Sequence, residues 1–359
     1  MNRDIFEELF VLELANNHWG NVKRGLKIVE DFSKVVRFNN VRCAIKLQLR
    51  EVNSFIHKDF RHRTDIRYIK KTLDTQMLKK DFITLVEAIS KNNCIPMATP
   101  FDEASVDFLE ELRLPLIKIA SSDINDWPLI ERIARTKKPV IASTGGSSLK
   151  DLDDLVTFFE NRNLQLALNH CVSSYPSEYT ELELNQIDFL NKRYPGHTIG
   201  FSSHEHDDWT NSIMIAYAKG ARTFERHIDI ESDSIPVSPY CSVPEEVDAW
   251  FKAFQKAKTM CGLSADTKRI PSEKEIKYLD LLVRGIYARK DLPKGHKLTM
   301  ADIYFSIPLQ KGQISCRELM TGEVLLHSCK KDAAIMIDAI DSPYADNETL
   351  KQLIYKRGL

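Results

Sequence analysis

Along the first three quarters of the chain, short runs of apolar and β-branched residues alternate with longer segments in which apolar residues recur at helical spacing. This pattern predicts strands that each precede a helix, and eight such pairs can be counted. The predicted strands are residues 10–14, 43–47, 95–98, 116–120, 140–143, 165–169, 198–201 and 222–227. The predicted helices are residues 22–36, 78–90, 105–112, 128–136, 149–161, 185–192, 209–219 and 244–258.

The regular repetition of strand and helix decides the predicted fold class. Eight repeats over about 260 residues match a (β/α)8 TIM barrel of parallel strands. An open doubly wound sheet is the alternative, and its dinucleotide-binding form carries a Gly-x-Gly-x-x-Gly loop after the first strand. The sequence contains no such loop, which favours an α/β barrel for residues 1–262.

The pattern changes near residue 262, and the remaining chain is predicted to form a second, smaller domain. Residues 263–283 are polar and contain a proline, as linkers do. Residues 284–341 contain short apolar runs separated by turns, which predicts a small β-rich domain, and residues 342–359 would form a C-terminal tail. A domain of about 55 residues is marginally stable alone, so we expect it to pack against another surface.

The overall composition narrows the classes of partner. The sequence has 50 basic and 51 acidic residues and a formal net charge of -1, so no general field attracts nucleic acid or an anionic membrane. It has no apolar stretch of membrane-spanning length and no secretory signal at its start. Its seven cysteines are scattered without a Cys-x-x-Cys spacing, as in a reducing compartment. These features predict a cytoplasmic protein with neither nucleic acid nor membrane as a partner.

The longest connection between predicted elements, residues 50–76, follows the second strand and is rich in charged residues. In a barrel it would lie over the active face, where long loops often act as lids or binding elements. Its basic residues Arg61, His62, Arg63 and Arg67 could meet an anionic substrate, or they could form a solvated face, as charge runs usually do.

Polar and charged residues stand at or near the ends of seven predicted strands. Active-site groups in barrels project from the C-terminal ends of the strands. An isolated buried charge costs several kcal/mol, so a charged group in a buried run must be paired or ligated. One such residue would be explained by a structural ion pair, whereas seven strands that share the feature indicate a site. The residues are Glu13, Lys46, Thr99, Lys118, Ser121, His170, Ser202, His204, Glu225 and His227.

His204 and His227 follow neighbouring predicted strands, so their imidazoles could converge on one divalent ion. Glu225 lies two residues before His227 and hence on the same face of the strand. Two histidines near a carboxylate suit Mn, Fe, Co or Zn and leave positions open for Lewis-acid chemistry. Each histidine alone is more often a hydrogen-bonded structural residue. His170 and His206 are weaker candidates, the first as a core histidine and the second in a polar loop.

Lys46 and Lys118 lie in the middle of apolar strands, where an ammonium group needs an anion nearby. With Thr99, Ser121 and Ser202 as donors they would hold a phosphate or a carboxylate. A Schiff-base lysine, as in a class I aldolase, is the alternative. Anion binding is favoured because an imine mechanism has no need of a metal.

Seven motifs stand in order at the ends of the predicted strands. They are Glu13-Leu14-Ala15-Asn16-Asn17-His18-Trp19-Gly20, Ala98-Thr99-Pro100-Phe101, Ile117-Lys118-Ile119-Ala120-Ser121-Ser122-Asp123, Ala142-Ser143-Thr144-Gly145-Gly146, His170-Cys171-Val172-Ser173-Ser174-Tyr175-Pro176, Gly200-Phe201-Ser202-Ser203-His204 and Phe224-Glu225-Arg226-His227. Together they resemble the sialic acid synthase family, enzymes that condense phosphoenolpyruvate with a sugar aldehyde to give nonulosonic acids. The C-terminal segment resembles the antifreeze-like (SAF) domain that follows the TIM barrel in this family.

The resemblance implies roles for individual residues. His204 and His227 would be the metal ligands, for Mn2+ with Mg2+ or Co2+ as alternatives. Glu13 and Glu225 would be the catalytic carboxylates, with Glu13 the first choice as general base for the attacking water. Phosphoenolpyruvate would be held by Lys46, Thr99, Lys118, Ser121, Ser173 and Ser202, and the sugar by Tyr175, Asp123 and Asn17. Because the family's SAF domain swaps onto the partner's barrel, the resemblance also implies a domain-swapped homodimer.

The sequence departs from the family pattern mainly where the sugar is expected. Ser203 replaces the aspartate of Ser-Asp-His, residues 235–240 replace a Pro-Gly-Pro-Asp loop, and Ile307-Pro308-Leu309 replaces Arg-Pro-Gly. The last two segments contact the acceptor sugar in the family. We therefore expect an acceptor other than N-acetylmannosamine, and Arg317 could substitute for the lost arginine.

Two other functions are compatible with the sequence. A metal-dependent aldolase or hydrolase on the same barrel would differ in releasing no phosphate from phosphoenolpyruvate. A non-catalytic sugar-binding homologue would have no need of the whole set of Glu13, Lys46, Lys118, His204 and His227.

Overall fold

The computed structural model describes residues 4–232, 235–262, 266–319 and 322–359. The chain forms two compact units, one of residues 1–263 and the other of residues 264–359. Each unit has a hydrophobic core of its own.

The first unit is a closed barrel of parallel strands. Each strand pairs with the next one along the chain, and the eighth pairs back with the first, which closes the sheet. The strands are β1 (Leu9–Ala15), β2 (Arg42–Leu49), β3 (Ile95–Pro100), β4 (Leu116–Ile119), β5 (Val140–Ser143), β6 (Leu166–Cys171), β7 (Thr198–Ser203) and β8 (Thr223–Ile228). A short strand, β9 (Cys241–Ser242), adds to the end of β8. The predicted barrel is confirmed.

Helices surround the barrel, and at least one follows each barrel strand. They are α1 (Val22–Asn39), α2 (Val52–Phe55), α3 (Arg67–Asp74), α4 (Lys79–Lys91), α5 (Glu103–Glu111), α6 (Trp127–Arg135), α7 (Leu149–Glu160), α8 (Asn185–Arg193), α9 (Trp209–Ala218) and α10 (Pro244–Cys261). The segment 50–76, predicted as a loop, contains α2 and α3. Both helices are short and bury few apolar side chains, so their periodicity is too weak to be recognised in the sequence.

The interior of the barrel changes from apolar to polar along the strands. On β1, Leu9 and Val11 belong to an apolar cluster formed almost entirely by strand residues, and Glu13 is the next residue on the same face. The same step occurs on β4 between Leu116 and Lys118. The intervening strand residues join the larger core shared with the helices. The C-terminal ends of the strands therefore form the polar end of the barrel.

The second unit contains two antiparallel strand pairs, β10 (Gly285–Ala288) with β11 (Ile303–Ser306) and β12 (Val324–Leu325) with β13 (Ile340–Asp341). Its helices are α11 (Glu273–Asp280), α12 (Pro343–Asp346) and α13 (Glu348–Tyr355). Helix α11 lies in the segment predicted as a linker, of which residues 263–265 lie outside the described residues. In the predicted tail, Ile354 is 2% exposed and packs with Ile286 in one core, so residues 342–359 are part of the folded unit.

Candidate active site

The structure brings most of the predicted polar residues together at the polar end of the barrel. They come from β1, β2, β3, β4, β7 and β8, and their side chains face the interior because they alternate with outward-facing apolar residues. The buried members of this group are Glu13, Lys46, Thr99, Lys118, Ser202, His204 and Glu225. His227 stands beside them and is half-buried.

Two lysines and two glutamates form an ion network across the barrel. The Nζ of Lys46 lies 2.9 Å from Oε1 of Glu225 and 3.0 Å from Oε2 of Glu13. The Nζ of Lys118 lies 3.1 Å from Oε2 of Glu225. For Lys46 the Schiff-base alternative is weakened, because a lysine held between two carboxylates stays protonated and is a poor nucleophile. Lys118 contacts Glu225, and burial lowers its pKa below the ordinary value.

The two glutamates differ in their ionisation. Burial raises the pKa of Glu13 above its ordinary value, although Lys46 opposes the shift. Burial also acts against ionisation of Glu225, but Lys118 and Lys46 together bring the pKa of that carboxyl well below its ordinary value. When the pKa values of two neighbouring carboxyl groups are shifted in opposite directions, the two groups take different acid–base roles. Glu225 is therefore the permanent carboxylate, and Glu13 is the group suited to exchanging a proton.

Two hydroxyl groups at the C-terminal ends of the barrel strands are unsatisfied. Oγ1 of Thr99 and Oγ of Ser143 are buried and have no hydrogen-bond partner among the described residues. Buried polar groups are normally paired, so orphaned hydroxyls at a polar barrel end indicate donors for a ligand. Ser143 was missed by the sequence reasoning. The available signal was that seven of the eight predicted strands had an assigned candidate and the fifth had none, although Ser143 is its last residue.

Ser121 and Ser173 meet around the glycine that follows β5. The amide of Gly145 donates to Oγ of Ser121 over 3.1 Å. A Cβ atom on Gly145 would lie 2.2 Å from Oγ of Ser173 and 2.9 Å from Oγ of Ser121. The missing side chain therefore lets two predicted ligand-binding hydroxyls approach the same glycine.

His204 and His227 lie side by side, with ring centroids 5.3 Å apart. Nδ1 of His204 is 2.9 Å from the carbonyl oxygen of Val172, and a carbonyl only accepts, so Nδ1 carries the proton and Nε2 presents a lone pair. Burial lowers the pKa of His204 to about 4 and the pKa of His227 well below its ordinary value. Two neutral imidazoles, one oriented by a backbone carbonyl, fit a divalent cation.

The two histidines do not supply enough ligands to enclose a metal ion completely. Among the described residues no group of three or more histidine, cysteine, aspartate or glutamate side chains converges as metal ligands do. Glu225, considered from the sequence as a nearby carboxylate, is instead engaged by the two lysines. An ion held here would therefore keep positions open, as catalytic sites do.

Two tyrosines stand beside the histidines. The ring centroid of Tyr175 lies 4.1 Å from that of His204, and the side chain is 51% exposed. The ring centroid of Tyr240 lies 5.3 Å from that of Tyr175 and 5.2 Å from that of His227. Tyr240 belongs to the segment 235–240 that departs from the family pattern, and it was not among the predicted site residues.

Glu13 is oriented by a residue that the sequence reasoning also missed. Nε2 of Gln48 donates to Oε1 of Glu13 over 2.8 Å, and Oε1 of Gln48 accepts from Nη1 of Arg50 over 3.1 Å. The guanidinium of Arg50 lies 3.7 Å above the ring of Phe101. Lys46, Gln48 and Arg50 are every second residue of one strand and its end, so their alternation could have indicated a shared face.

The predicted sugar-binding residues Asp123 and Asn17 have different surroundings. Asp123 is half-buried, its Oδ2 has no partner among the described residues, and burial raises its pKa to about 6. Nδ2 of Asn17 donates to the carbonyl oxygen of Ile228 over 2.8 Å, and the carbonyl of Asn17 accepts from Nε of Arg24 over 2.7 Å. Asn17 therefore ties the loop after β1 to the end of β8, whereas Asp123 retains an acceptor for a ligand.

Other candidates have structural partners. Nε2 of His170 lies 2.7 Å from the carbonyl oxygen of Leu182, which matches a core histidine. In the segment 50–76, Arg61 donates to backbone carbonyls and Arg63 pairs with Asp65 at 2.6 Å. His206 lies 3.0 Å from Asp207, and Nη1 of Arg317 lies 3.0 Å from Asp280.

Comparison with known proteins places these features in a family. The model of the NeuB family matches residues 40–265. An N-acetylneuraminate-9-phosphate synthase of Drosophila melanogaster is 26% identical, covering 92% of this chain and 95% of that protein. An N,N'-diacetyllegionaminic acid synthase of Campylobacter jejuni is 25% identical, covering 91% and 98%. A crystal structure titled as a spore coat polysaccharide biosynthesis protein E of Chromobacterium violaceum has 35% identity and a TM-score of 0.88, covering 94% of this chain and 100% of that one.

None of the described helices is both long and apolar enough to cross a bilayer.

Proposed function

This chain belongs to the NeuB family, and on that premise we propose that it condenses phosphoenolpyruvate with an open-chain sugar aldehyde to give a nonulosonic acid and phosphate. Relatives named as synthases of N-acetylneuraminate 9-phosphate and of diacetyllegionaminic acid support an enzyme of carbohydrate biosynthesis. The observation that carries the proposal is the meeting of two buried lysines, unsatisfied hydroxyls and two neutral imidazoles at one end of the barrel.

The anionic substrate matches the lysine end of the site. Phosphoenolpyruvate carries a carboxylate and a phosphate, and Lys46 and Lys118 offer two ammonium groups in a water-poor interior. The hydroxyls of Thr99, Ser121, Ser173 and Ser202 complete the predicted binding set, and Ser143 joins it because its Oγ is buried and unpaired among the described residues.

The reaction forms one C–C bond and one C–O bond, and it breaks the C–O bond to phosphate. C3 of phosphoenolpyruvate attacks the aldehyde carbon, whose oxygen takes up a proton and becomes a hydroxyl. Water adds to the cationic C2 and loses a proton, and phosphate then leaves from C2, which becomes the keto carbon. Glu13 is placed to take the proton of that water, because burial raises its pKa and Gln48 fixes its orientation. Glu225 stays ionised between the lysines and stabilises the positive charge that develops at C2.

We assign a divalent cation to His204 and His227, with Mn2+ as the expected ion and Mg2+ or Co2+ as alternatives. When bound, the ion supplies Lewis-acid polarisation of the aldehyde oxygen. The chain's own contribution is to hold both imidazoles neutral and one of them in a defined tautomer.

The acceptor is proposed to differ from N-acetylmannosamine. Tyr240 stands in the segment that departs from the family pattern and packs against Tyr175 and His227, so the wall next to the acceptor is aromatic here. We expect N-acetylmannosamine to be turned over poorly compared with another hexose or hexosamine aldehyde. Efficient turnover of N-acetylmannosamine would contradict this expectation.

The second unit is proposed to be the antifreeze-like domain, which in a domain-swapped homodimer would pack on the partner's barrel. Its paired short strands and small hydrophobic core support this assignment. Arg317 pairs with Asp280 inside the same unit, so its substitution for the lost family arginine would require that pair to open.

The proposed function is tested by a screen of sugar aldehydes with phosphoenolpyruvate and Mn2+. Inorganic phosphate and the mass of the product are measured together. Phosphate release that depends on the aldehyde, with a product heavier by the pyruvate unit, is the expected result. An aldolase or hydrolase on this barrel would act on its substrate without releasing phosphate from phosphoenolpyruvate.

The Gly145→Ala variant is expected to raise KM for phosphoenolpyruvate by about tenfold or more. The new methyl group would press on Oγ of Ser173 and Oγ of Ser121, and overpacking of this kind costs about 1–3 kcal/mol. Steady-state kinetics measures the change. Gly196→Ala is the matched control, because a Cβ atom at Gly196 meets no atom within 4 Å. An unchanged KM in Gly145→Ala would remove the two hydroxyls from the binding site.

We expect the pH dependence of kcat/KM for the acceptor to follow the protonation of the Asp123 carboxyl group. Its pKa of about 6 means that the carboxyl is protonated as the pH falls below that value and can no longer accept two hydrogen bonds from sugar hydroxyls. We expect kcat/KM for the acceptor to fall below pH 6 and this limb to be absent in Asp123→Asn. Asp107→Asn, on the outer helix α5, should retain the limb. A limb that survives in Asp123→Asn would assign it to another group.

A further inference from the structure

Arg226 lies between Glu225 and His227 on β8, yet its side chain points the opposite way. Because side chains alternate along a strand, Glu225 faces the barrel interior and Arg226 faces the surrounding layer. The guanidinium is completely buried, and it lies 4.9 Å above the ring of Trp209 on α9. A buried guanidinium needs partners for its charge and its five N–H groups.

The partners of Arg226 come from β9 and from the residues on either side of His204 at the end of β7. Nη2 donates to the carbonyl oxygen of Glu205 over 2.7 Å, and Nη1 donates to Oγ of Ser203 over 3.2 Å. Nε donates to Oγ of Ser242 on β9 over 2.5 Å. Ser203 and Glu205 flank His204 directly, so one side chain on β8 binds both neighbours of that histidine, Ser203 through its hydroxyl and Glu205 through its backbone carbonyl.

Glu205 supplies the balancing charge. It is fully buried, and its Oε2 lies 3.6 Å from Nη1 of Arg226. Its other carboxylate oxygen accepts from the hydroxyl of Ser212 on α9. Ser203 offers only a hydroxyl to the guanidinium, so the negative charge nearest to Arg226 comes from the residue after His204 and not from the residue before it.

The backbone of His204 is held from the opposite side as well. The amide of Ser177 donates to the carbonyl oxygen of His204 over 3.1 Å, and Nδ1 of His204 bonds the carbonyl of Val172. Residues of the loop after β6 and Arg226 of β8 therefore contact the same short segment, residues 203–205. Arg226 adds side-chain contacts to the backbone pairing that joins β7 to β8.

We propose that Arg226 and Glu205 are positioning residues that set the separation of the His204 and His227 imidazoles. This inference rests on the assignment of a divalent cation to the two histidines under the proposed function. The guanidinium of Arg226 lies on the strand that carries His227 and binds the residues on either side of His204. One fully buried side chain therefore links the two histidines. Partners of this kind typically change metal affinity by about 10–100-fold when they are removed.

The test measures Mn2+ affinity by titration calorimetry on the full chain without substrates, and kcat separately from KM for phosphoenolpyruvate. Glu205→Gln keeps the shape of the side chain and removes its charge. We expect it to weaken Mn2+ binding by about tenfold or more and to lower kcat, with KM for phosphoenolpyruvate close to that of the wild type.

A second substitution distinguishes positioning from a general loss of stability. In Glu205→Gln with Ser203→Asp, the carboxylate moves to a side chain whose present Oγ lies 3.2 Å from Nη1 of Arg226, and Mn2+ affinity should recover. Asp153→Asn is the matched control, because it removes a carboxylate that binds Arg193 and Tyr194 on the outer layer. It should lower the melting temperature without changing Mn2+ affinity. If Glu205→Gln does not fold, Arg226→Lys provides the same measurement.

The outcomes separate this inference from the proposed function. Wild-type Mn2+ affinity in the folded Glu205→Gln or Arg226→Lys variant would overturn it, as would a wild-type chain that binds no Mn2+ or a Ser203→Asp double variant without recovery. A wild-type chain that binds Mn2+ but releases no phosphate would instead contradict the proposed function. The affinity measurements would still decide the role of Glu205 and Arg226.

Discussion

Replacing Lys46 with methionine is expected to abolish turnover and to destabilise the barrel. Lys46 is the ammonium group shared by Glu13 and Glu225, and all three side chains are buried. Removing one partner of a buried ion pair leaves an uncompensated charge and costs about 3–5 kcal/mol. Loss of a charge aimed at the reacting groups lowers turnover by about a hundredfold to a thousandfold. Chemical denaturation and phosphate release measure the two effects.

A double variant separates the structural effect of Lys46 from its catalytic effect. In Lys46→Met with Glu13→Gln, one buried positive and one buried negative charge disappear together, and Glu225 keeps its contact with Lys118. We expect part of the lost stability to return while turnover stays absent. Near-normal turnover in either variant would contradict the role of Lys46 in binding phosphoenolpyruvate.

Replacing His227 with alanine is expected to abolish turnover while the fold stays intact. The ring is half-buried at the mouth of the barrel, where its neighbours are Tyr175, His204 and Tyr240. Its removal should therefore cost only about 1 kcal/mol of unfolding free energy. A bound ion stabilises the charge that develops in the transition state by several kcal/mol, so its loss should lower the rate by about a thousandfold. Circular dichroism and phosphate release test the two statements.

His197→Gln is a suitable control for the histidine experiment. His197 lies just before β7, at the opposite end of that strand from His204, and it bonds Glu160 and the carbonyl of Leu166. This variant should lose some stability and keep its turnover. Retained activity in His227→Ala would remove this residue from the metal site.

The barrel itself was predictable because its strands are buried on both sides. Nearly continuous apolar runs such as residues 116–119 and 140–143 stand out from the sequence, and the structure places β4 and β5 there. The polar residues that interrupt such runs marked the site for the same reason. Helix α3 escaped prediction because none of its side chains is buried, so burial left no periodic pattern in its sequence.

Within the site, residue types were readable from the sequence, but pairings were not. Lys46 and Glu225 are 179 positions apart and lie 2.9 Å from each other in the barrel. The pairing of Arg226 with Glu205 and the hydrogen bond from Gln48 to Glu13 likewise depend on how strands pack. The alternation of residues along a strand predicts which face a side chain occupies. Its contact partner, however, depends on which residue of the neighbouring strand lies beside it.

The sequence by itself determined the eight-stranded barrel, its polar end and the presence of two lysines, two glutamates and two histidines there. The tertiary structure alone decided that Glu225 is the ionised carboxylate, that Glu13 is the one with a raised pKa, and that His204 presents Nε2. The physical reason is that ionisation and tautomer depend on desolvation and on nearby charges and carbonyls. Those neighbours arrive from distant parts of the chain when the barrel closes.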